Sequence, residues 1–241
     1  MKMMALTKRS RRENGMETHE KLLKKIAEGR QYRPMAELLR IGPESDKDAA
    51  DSKNGGEAGR MVVEGHATTF GQPYNLYEDN EFRIDEQVDA GAFEGCDMDD
   101  VIFQYDHCGR VFARTRNGTL EVEPDDTGLY IKADLGGTEE GCKLYQEIRD
   151  GYTDRMSFGF TITGDKVEQT QEGGKTLLLR TITKIGKLYD VSAVSIPAND
   201  GTDISARSFS DGLIARLKAE RLEKRAELEK ARAKALAILS L

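Results

Sequence analysis

Alternating apolar and polar side chains predict that the middle of this chain is built mainly from strands. Leu129, Ile131 and Ala133 alternate with polar neighbours, which is the two-residue period of a half-buried strand. The pattern therefore predicts an α+β, mainly β fold, a small β-barrel or sandwich of about seven strands decorated by helices. The strand-like runs are 62–70, 101–107, 120–124, 129–135, 155–164, 176–188 and 189–198.

Three segments carry a helical period instead. Residues 16–40 predict one or two helices, the second beginning at Pro34, and residues 138–150 predict a short helix. Residues 212–241 predict one long helix, because Ala, Leu, Glu, Lys and Arg dominate there and all favour helix.

The clearest boundary in the chain is a polar stretch before the first strand. Residues 41–60 have almost no apolar side chains and end in a glycine-rich run, so they bury too little to order themselves. We expect a basic helical N-terminal arm with a flexible linker over 1–60, a body over 61–209 and a C-terminal helix over 210–241.

Charge separates these parts. Residues 1–60 carry a net charge of +4 and residues 212–241 also +4, so the overall −7 conceals an acidic body of −15. An acidic body argues against a nucleic-acid cleft. The basic arms are either solvated faces or docking segments for an acidic partner.

Other composition features exclude further classes. No apolar run approaches the roughly 20 residues of a membrane span. The 3 cysteines are odd in number and widely spaced, which argues against a disulfide framework. The sequence has no C-x-x-C pair of the kind that binds a structural zinc ion. We therefore expect no cofactor, no metal and a reducing cytoplasm.

Two residues have the chemistry of a hydrolase. His107 ends a strand at a turn, where an imidazole can act as a general base. Ser157 alternates with Met156 and Phe158, so it faces away from the apolar side and stands beside Gly159, where a substrate backbone has room. Each pattern alone is more often that of a structural or surface residue than of a catalytic one.

A carboxylate could complete the set. Asp190 begins an apolar strand and could orient an imidazole, whereas Asp106, next to the base in the sequence, would point to the opposite face of a strand. No P-loop, dinucleotide fingerprint or G-x-S-x-G elbow is present.

Six short motifs follow one another along the body of the chain. They are VEGHATTFG at 63–71, GAF at 91–93, YDH at 105–107, DTGLYI at 126–131, RMSFGF at 155–160 and LYDVSAVSIPAN at 188–199. Together and in this order they resemble the prohead protease family of tailed phages, whose fold is related to the herpesvirus assemblin proteases. The resemblance covers about residues 61–207.

The resemblance implies a serine endopeptidase that works inside the procapsid in the host cytoplasm. Such enzymes cut scaffold protein, or the scaffolding segment of the major capsid protein, and often themselves. By position, His107 matches the family's catalytic histidine, Ser157 its nucleophile and Asp190 an acidic third member. The herpesvirus enzymes use a second histidine there, which makes His66 the alternative third member.

Several alternatives stay open at this point. Arg155 and Arg180 are candidates for stabilising the oxyanion, and residues 41–60 and 208–212 are candidate self-cleavage sites. A non-catalytic capsid or scaffold assembly protein on the same fold would also explain the basic arms and helical tail. An esterase-like hydrolase is disfavoured, because the sequence has no apolar lid or acyl-pocket signature. A homo-oligomer is compatible with the sequence.

Overall fold

The computed structural model describes residues 29–42, 60–195 and 204–239. They contain eleven strands, two α-helices and a single 3-10 turn at Thr115–Asn117. The strands are β1 Gln31–Leu38, β2 Arg40–Ile41, β3 Val62–Thr69, β4 Tyr74–Glu78, β5 Phe82–Val88, β6 Ile102–Tyr105, β7 Cys108–Arg114, β8 Leu120–Pro124, β9 Gly128–Asp134, β10 Arg155–Glu172 and β11 Lys175–Val194. The helices are α1 Glu139–Arg149 and α2 Ile204–Leu239.

These strands form two sheets. The larger has seven strands in the order β1-β10-β11-β5-β4, with β6 beside β11 and β7 beside β6. The long strand β11 runs parallel to β5 along Thr176–Ile182 and parallel to β6 along Asp190–Ala193. The smaller sheet has the order β2-β3-β9-β8 and is antiparallel throughout.

The main core lies between the two sheets. Met156 and Phe158 of β10 are fully buried there with Ile131 and Ala133 of β9. Because side chains alternate along a strand, burying Met156 and Phe158 directs Ser157 to the opposite face of the large sheet.

The described side chains of helix α2 contact the body in the first half of the helix. Leu213 and Ile214 pack with Phe82, Ile84 and Leu178 in a second, smaller core. Its 36 residues span about 54 Å at 1.5 Å per residue, and residues 218–234 are exposed. Neither described helix combines the length and apolar composition needed to cross a membrane.

The predicted α+β, mainly β class is confirmed. Among the described strands the arrangement is two packed sheets with no closed barrel, and it has more strands than the seven predicted. The short helix predicted over 138–150 is α1, and the long C-terminal helix is α2, which begins earlier, at Ile204.

The helix predicted to begin at Pro34 is wrong. Residues Gln31–Leu38 form strand β1, which pairs antiparallel with β10. Leu38 and Leu39 suggested a helical stripe, but a partner strand more than a hundred residues away overrides this local signal. Residues 1–28 and most of the predicted linker, 43–59, lie outside the described residues, so the domain boundaries stay predictions.

Candidate active site

His107 is presented by a strained two-residue turn between β6 and β7. Tyr105 pairs with Cys108, and the two residues between them have positive φ, 47° at Asp106 and 56° at His107. Positive φ at both central residues defines the type I′ turn that matches strand twist, and it is uncommon without glycine. The Asp106 carboxylate accepts hydrogen bonds from the backbone N–H and the hydroxyl of Ser195, each at 3.0 Å. Ser195, the residue that follows β11, thus holds the turn in place.

The structure brings His107, Ser157 and Asp190 together. His107 Nε2 lies 2.6 Å from Ser157 Oγ, and His107 Nδ1 is hydrogen-bonded to Asp190 Oδ1. Ser157 and Asp190 are each 1% exposed and His107 is 8% exposed. A carboxylate at Nδ1 fixes the tautomer with hydrogen on Nδ1, which leaves the Nε2 lone pair to accept the Ser157 hydroxyl.

Strand register sets this geometry. Ser157 of β10 is paired with Ser192 of β11, and Gly159 is paired with Asp190. The nucleophile candidate and the carboxylate therefore lie on the same face of adjacent strands, two residues apart along the sheet. His107 reaches them because β6, which precedes its turn, runs beside Asp190 on the other side of β11.

Such an Asp–His–Ser arrangement is found on unrelated folds, so geometry alone does not name a family. A family model described as caudovirus prohead serine protease matches residues 47–213. The chain belongs to this family. Comparisons with curated proteins and with solved structures gave no match. The protein is thus a serine protease of phage capsid maturation, and the expected family is confirmed.

The prohead protease has a further polar group at this site that the sequence patterns did not single out. Ser192 is fully buried, and its hydroxyl donates to Asp190 Oδ1 at 3.1 Å, with Oγ also 3.2 Å from His107 Nδ1. The signal was available, because residues two apart on a strand share a face and Asp190 precedes Ser192 by two.

The sequence pattern gave only part of the role of Gly159. A Cβ built there would lie 2.5 Å from Asp190 Oδ2 and 2.7 Å from Tyr32 Cε1. The absent side chain was interpreted as room for substrate. In the structure this space is filled by the Asp190 carboxylate and the Tyr32 ring.

His66 is bonded elsewhere in the protease. Its Nε2 lies 2.8 Å from Asp125 Oδ2, and its ring meets Tyr130 edge-on at 5.7 Å. The His66 hydrogen bond holds the pKa of Asp125 below its ordinary value. Both ring nitrogens of His107 are meanwhile engaged by Asp190 and Ser157.

The two arginines considered for the oxyanion have other bonds. Arg180 is buried and forms ion pairs with Glu86 at 2.9 Å and Asp165 at 2.6 Å. Arg155 lies 3.5 Å from Asp154. Within the part of the chain that the structure describes, no group of His, Cys, Asp and Glu side chains is arranged to hold a metal ion.

Proposed function

We propose that Ser157 is the nucleophile, His107 the general base and Asp190 the orienting carboxylate of this prohead protease. The observation that carries the proposal is the position of His107 between the other two, with Nε2 2.6 Å from Ser157 Oγ and Nδ1 bonded to Asp190. The distance is within the range required for proton transfer to a base.

The chemistry follows from these contacts. As Ser157 Oγ attacks the scissile carbonyl carbon, its proton moves to His107 Nε2, and Asp190 stabilises the imidazolium that forms. His107 then gives the proton to the leaving amine nitrogen, and the C–N bond breaks to leave an acyl-enzyme. Water, deprotonated by His107, attacks the ester carbonyl, and Ser157 leaves with the proton restored.

Access to the nucleophile requires movement. Ser157 is 1% exposed, so a peptide carbonyl reaches Oγ only after neighbouring groups shift. Exclusion of water from a closed site strengthens the charge interactions within it. We therefore expect the resting protease to react slowly with small probes and faster when substrate opens the site.

The proposed substrates are the scaffold protein, or the scaffolding segment of the major capsid protein, inside the procapsid. The family assignment supports capsid proteins as substrates. The chain itself is a further proposed substrate, cut within 41–60, because a sequence with almost no apolar side chains has little to bury and threads easily into an active site. Residues 208–212 are less suitable, since they lie within α2 and Ser210 is buried.

Co-expression with the capsid and scaffold proteins tests the proposal. The wild type should yield cleaved capsid or scaffold bands, and Ser157→Ala should yield intact ones. Ser210→Ala is a matched control, because Ser210 is a fully buried serine in α2, outside the Ser157–His107–Asp190 set. Identical intact bands from the wild type and Ser157→Ala would leave the non-catalytic assembly role as the better account.

A further inference from the structure

We propose that strand β1 is a permanent part of the active site, not a removable lid, and that its Tyr32 is a positioning residue for His107. The inference rests on the catalytic roles proposed above. β1 spans Gln31–Leu38 and therefore precedes the family-matched residues 47–213. It nevertheless pairs with β10 along the segment that carries Ser157, with Pro34 opposite Ser157.

Tyr32 reaches His107 across a gap in the sheet surface. Tyr32, Gly159 and Asp190 stand in one row across β1, β10 and β11. Gly159 has no side chain, and the space above it holds the Tyr32 ring on one side and the Asp190 carboxylate on the other. A side chain at position 159 would close the gap.

The contact between the two rings is close. The ring centroids of Tyr32 and His107 are 4.4 Å apart with the planes tilted by 57°, and Tyr32 is 5% exposed. A packed aromatic ring in this place limits rotation of the imidazole and keeps water from its bond to Asp190. Tyr32 thus acts on the reaction through His107.

The other face of β1 explains why the strand stays in place. Arg33 is 1% exposed, and its Nε donates to Glu86 Oε1 at 2.5 Å, while Arg180 bonds Glu86 Oε2 at 2.9 Å. Burial alone would raise the pKa of Glu86, but the two arginines outweigh it and hold that pKa below its ordinary value. Withdrawing β1 would take Arg33 out of this buried cluster, break its charged hydrogen bonds to Glu86 and leave Glu86 with Arg180 alone, which is destabilising.

These contacts distinguish a structural strand from a removable lid. A lid over the nucleophile would be held by exposed or weak contacts, whereas β1 is fixed by a fully buried charge pair. A cut within 43–59 would therefore separate β1 from the rest of the chain covalently while leaving it in the sheet.

The test measures how fast a fluorophosphonate probe labels Ser157 in the purified full-length protein, as a function of pH. We compare the wild type with Tyr32→Ala, Tyr32→Leu and Tyr32→Phe. Tyr77→Leu is the matched control, because Tyr77 is a partly buried tyrosine that packs in the second, smaller core, outside the Ser157–His107–Asp190 set. The extent of labelling at long times gives the folded, active fraction, so that the rate constant is corrected for protein that fails to fold.

We expect Tyr32→Ala and Tyr32→Leu to lower the corrected rate constant by at least about tenfold, since small misplacements of reacting groups are costly. The pH at which the rate reaches half its maximum should shift, because His107 loses its covering ring, and Tyr32→Phe should restore most of the rate. A wild-type rate and pH profile in Tyr32→Ala, or a faster rate, would overturn the inference. Absence of Ser157 labelling at long times, in wild-type protein that does cleave capsid or scaffold protein, would instead refute the proposed catalytic roles.

Discussion

Gly159→Ala is the substitution for which the structure gives the most definite expectation. An alanine Cβ at this position would lie 2.5 Å from Asp190 Oδ2 and 2.7 Å from Tyr32 Cε1. Ordinary contact begins at 3.4 Å, so the carboxylate must retreat by about 0.9 Å to make room. Asp190 sits on a paired segment of β11 and is buried, so this movement is transmitted to His107.

The expected effect on catalysis follows from that displacement. A misplacement of 1 Å in an active site can lower the rate by about 10²-fold, equivalent to about 2.7 kcal/mol of transition-state stabilisation. Overpacking a well-filled site also lowers the free energy of unfolding, by about 1–3 kcal/mol. The protein should therefore fold but turn over slowly.

The assay is the rate of probe labelling or capsid-protein cleavage, measured beside urea unfolding. Gly164→Ala on the same strand is the control, because its Cβ would come no closer than 3.1 Å, to the Oγ1 of Thr183. We expect the control to stay within a few-fold of the wild-type rate. If Gly159→Ala keeps wild-type activity and stability, Tyr32 and the Asp190 carboxylate do not fill the space above Gly159 as described.

Three further predictions concern individual side chains. Ser192→Ala removes the hydroxyl that donates a hydrogen bond to Asp190, so we expect the probe to label Ser157 about tenfold more slowly. Loss of all labelling would contradict a supporting role for Ser192. Arg33→Met should lower the free energy of unfolding by about 1.5–3 kcal/mol in urea titrations at pH 7, since Glu86 loses a charged hydrogen-bond partner but keeps Arg180; a loss below about 0.5 kcal/mol would contradict the anchoring role. Because the pKa of Glu86 is lowered, its stabilising effect is present above the ordinary glutamate pKa and is lost as the pH falls, and Arg33→Met should flatten this dependence. Burial raises the pKa of Cys96 to about 11, so mass spectrometry should show iodoacetamide alkylation about a hundredfold slower at pH 8 than for an ordinary thiol, and a half-maximal rate near pH 8.5 would contradict it.

Local periodicity predicted those parts of the site that depend on one strand. Alternation along β10 predicted correctly that Ser157 faces away from the apolar core, because Met156 and Phe158 belong to that core whereas Ser157 is bonded to His107. The same rule applied to β11 would have selected Ser192 with Asp190.

The hydrophobic and polar pattern of the sequence did not predict the geometry of the turn at His107 or the pairing of strands far apart in the chain. The turn at His107 was predicted over residues 106–109, whereas Tyr105 pairs with Cys108 and the type I′ turn is centred on Asp106 and His107. The strand that carries Tyr32 was predicted as helix, since nothing near it in the sequence identifies β10 as its partner. Which strands pair is a property of the whole fold, and single-sequence patterns carry little of it.

The pairing of β1 with β10 also affects when the enzyme can first work during synthesis. Pro34 and Ser157 are about 120 positions apart, so a loop of that length must close before the two strands meet. β1 leaves the ribosome long before its partner, and the residues proposed for catalysis follow at 107, 157 and 190. Long-range pairings of this kind form slowly. A growing chain therefore has no complete site, and proteolytic activity begins only once nearly all of the strands have been made and joined.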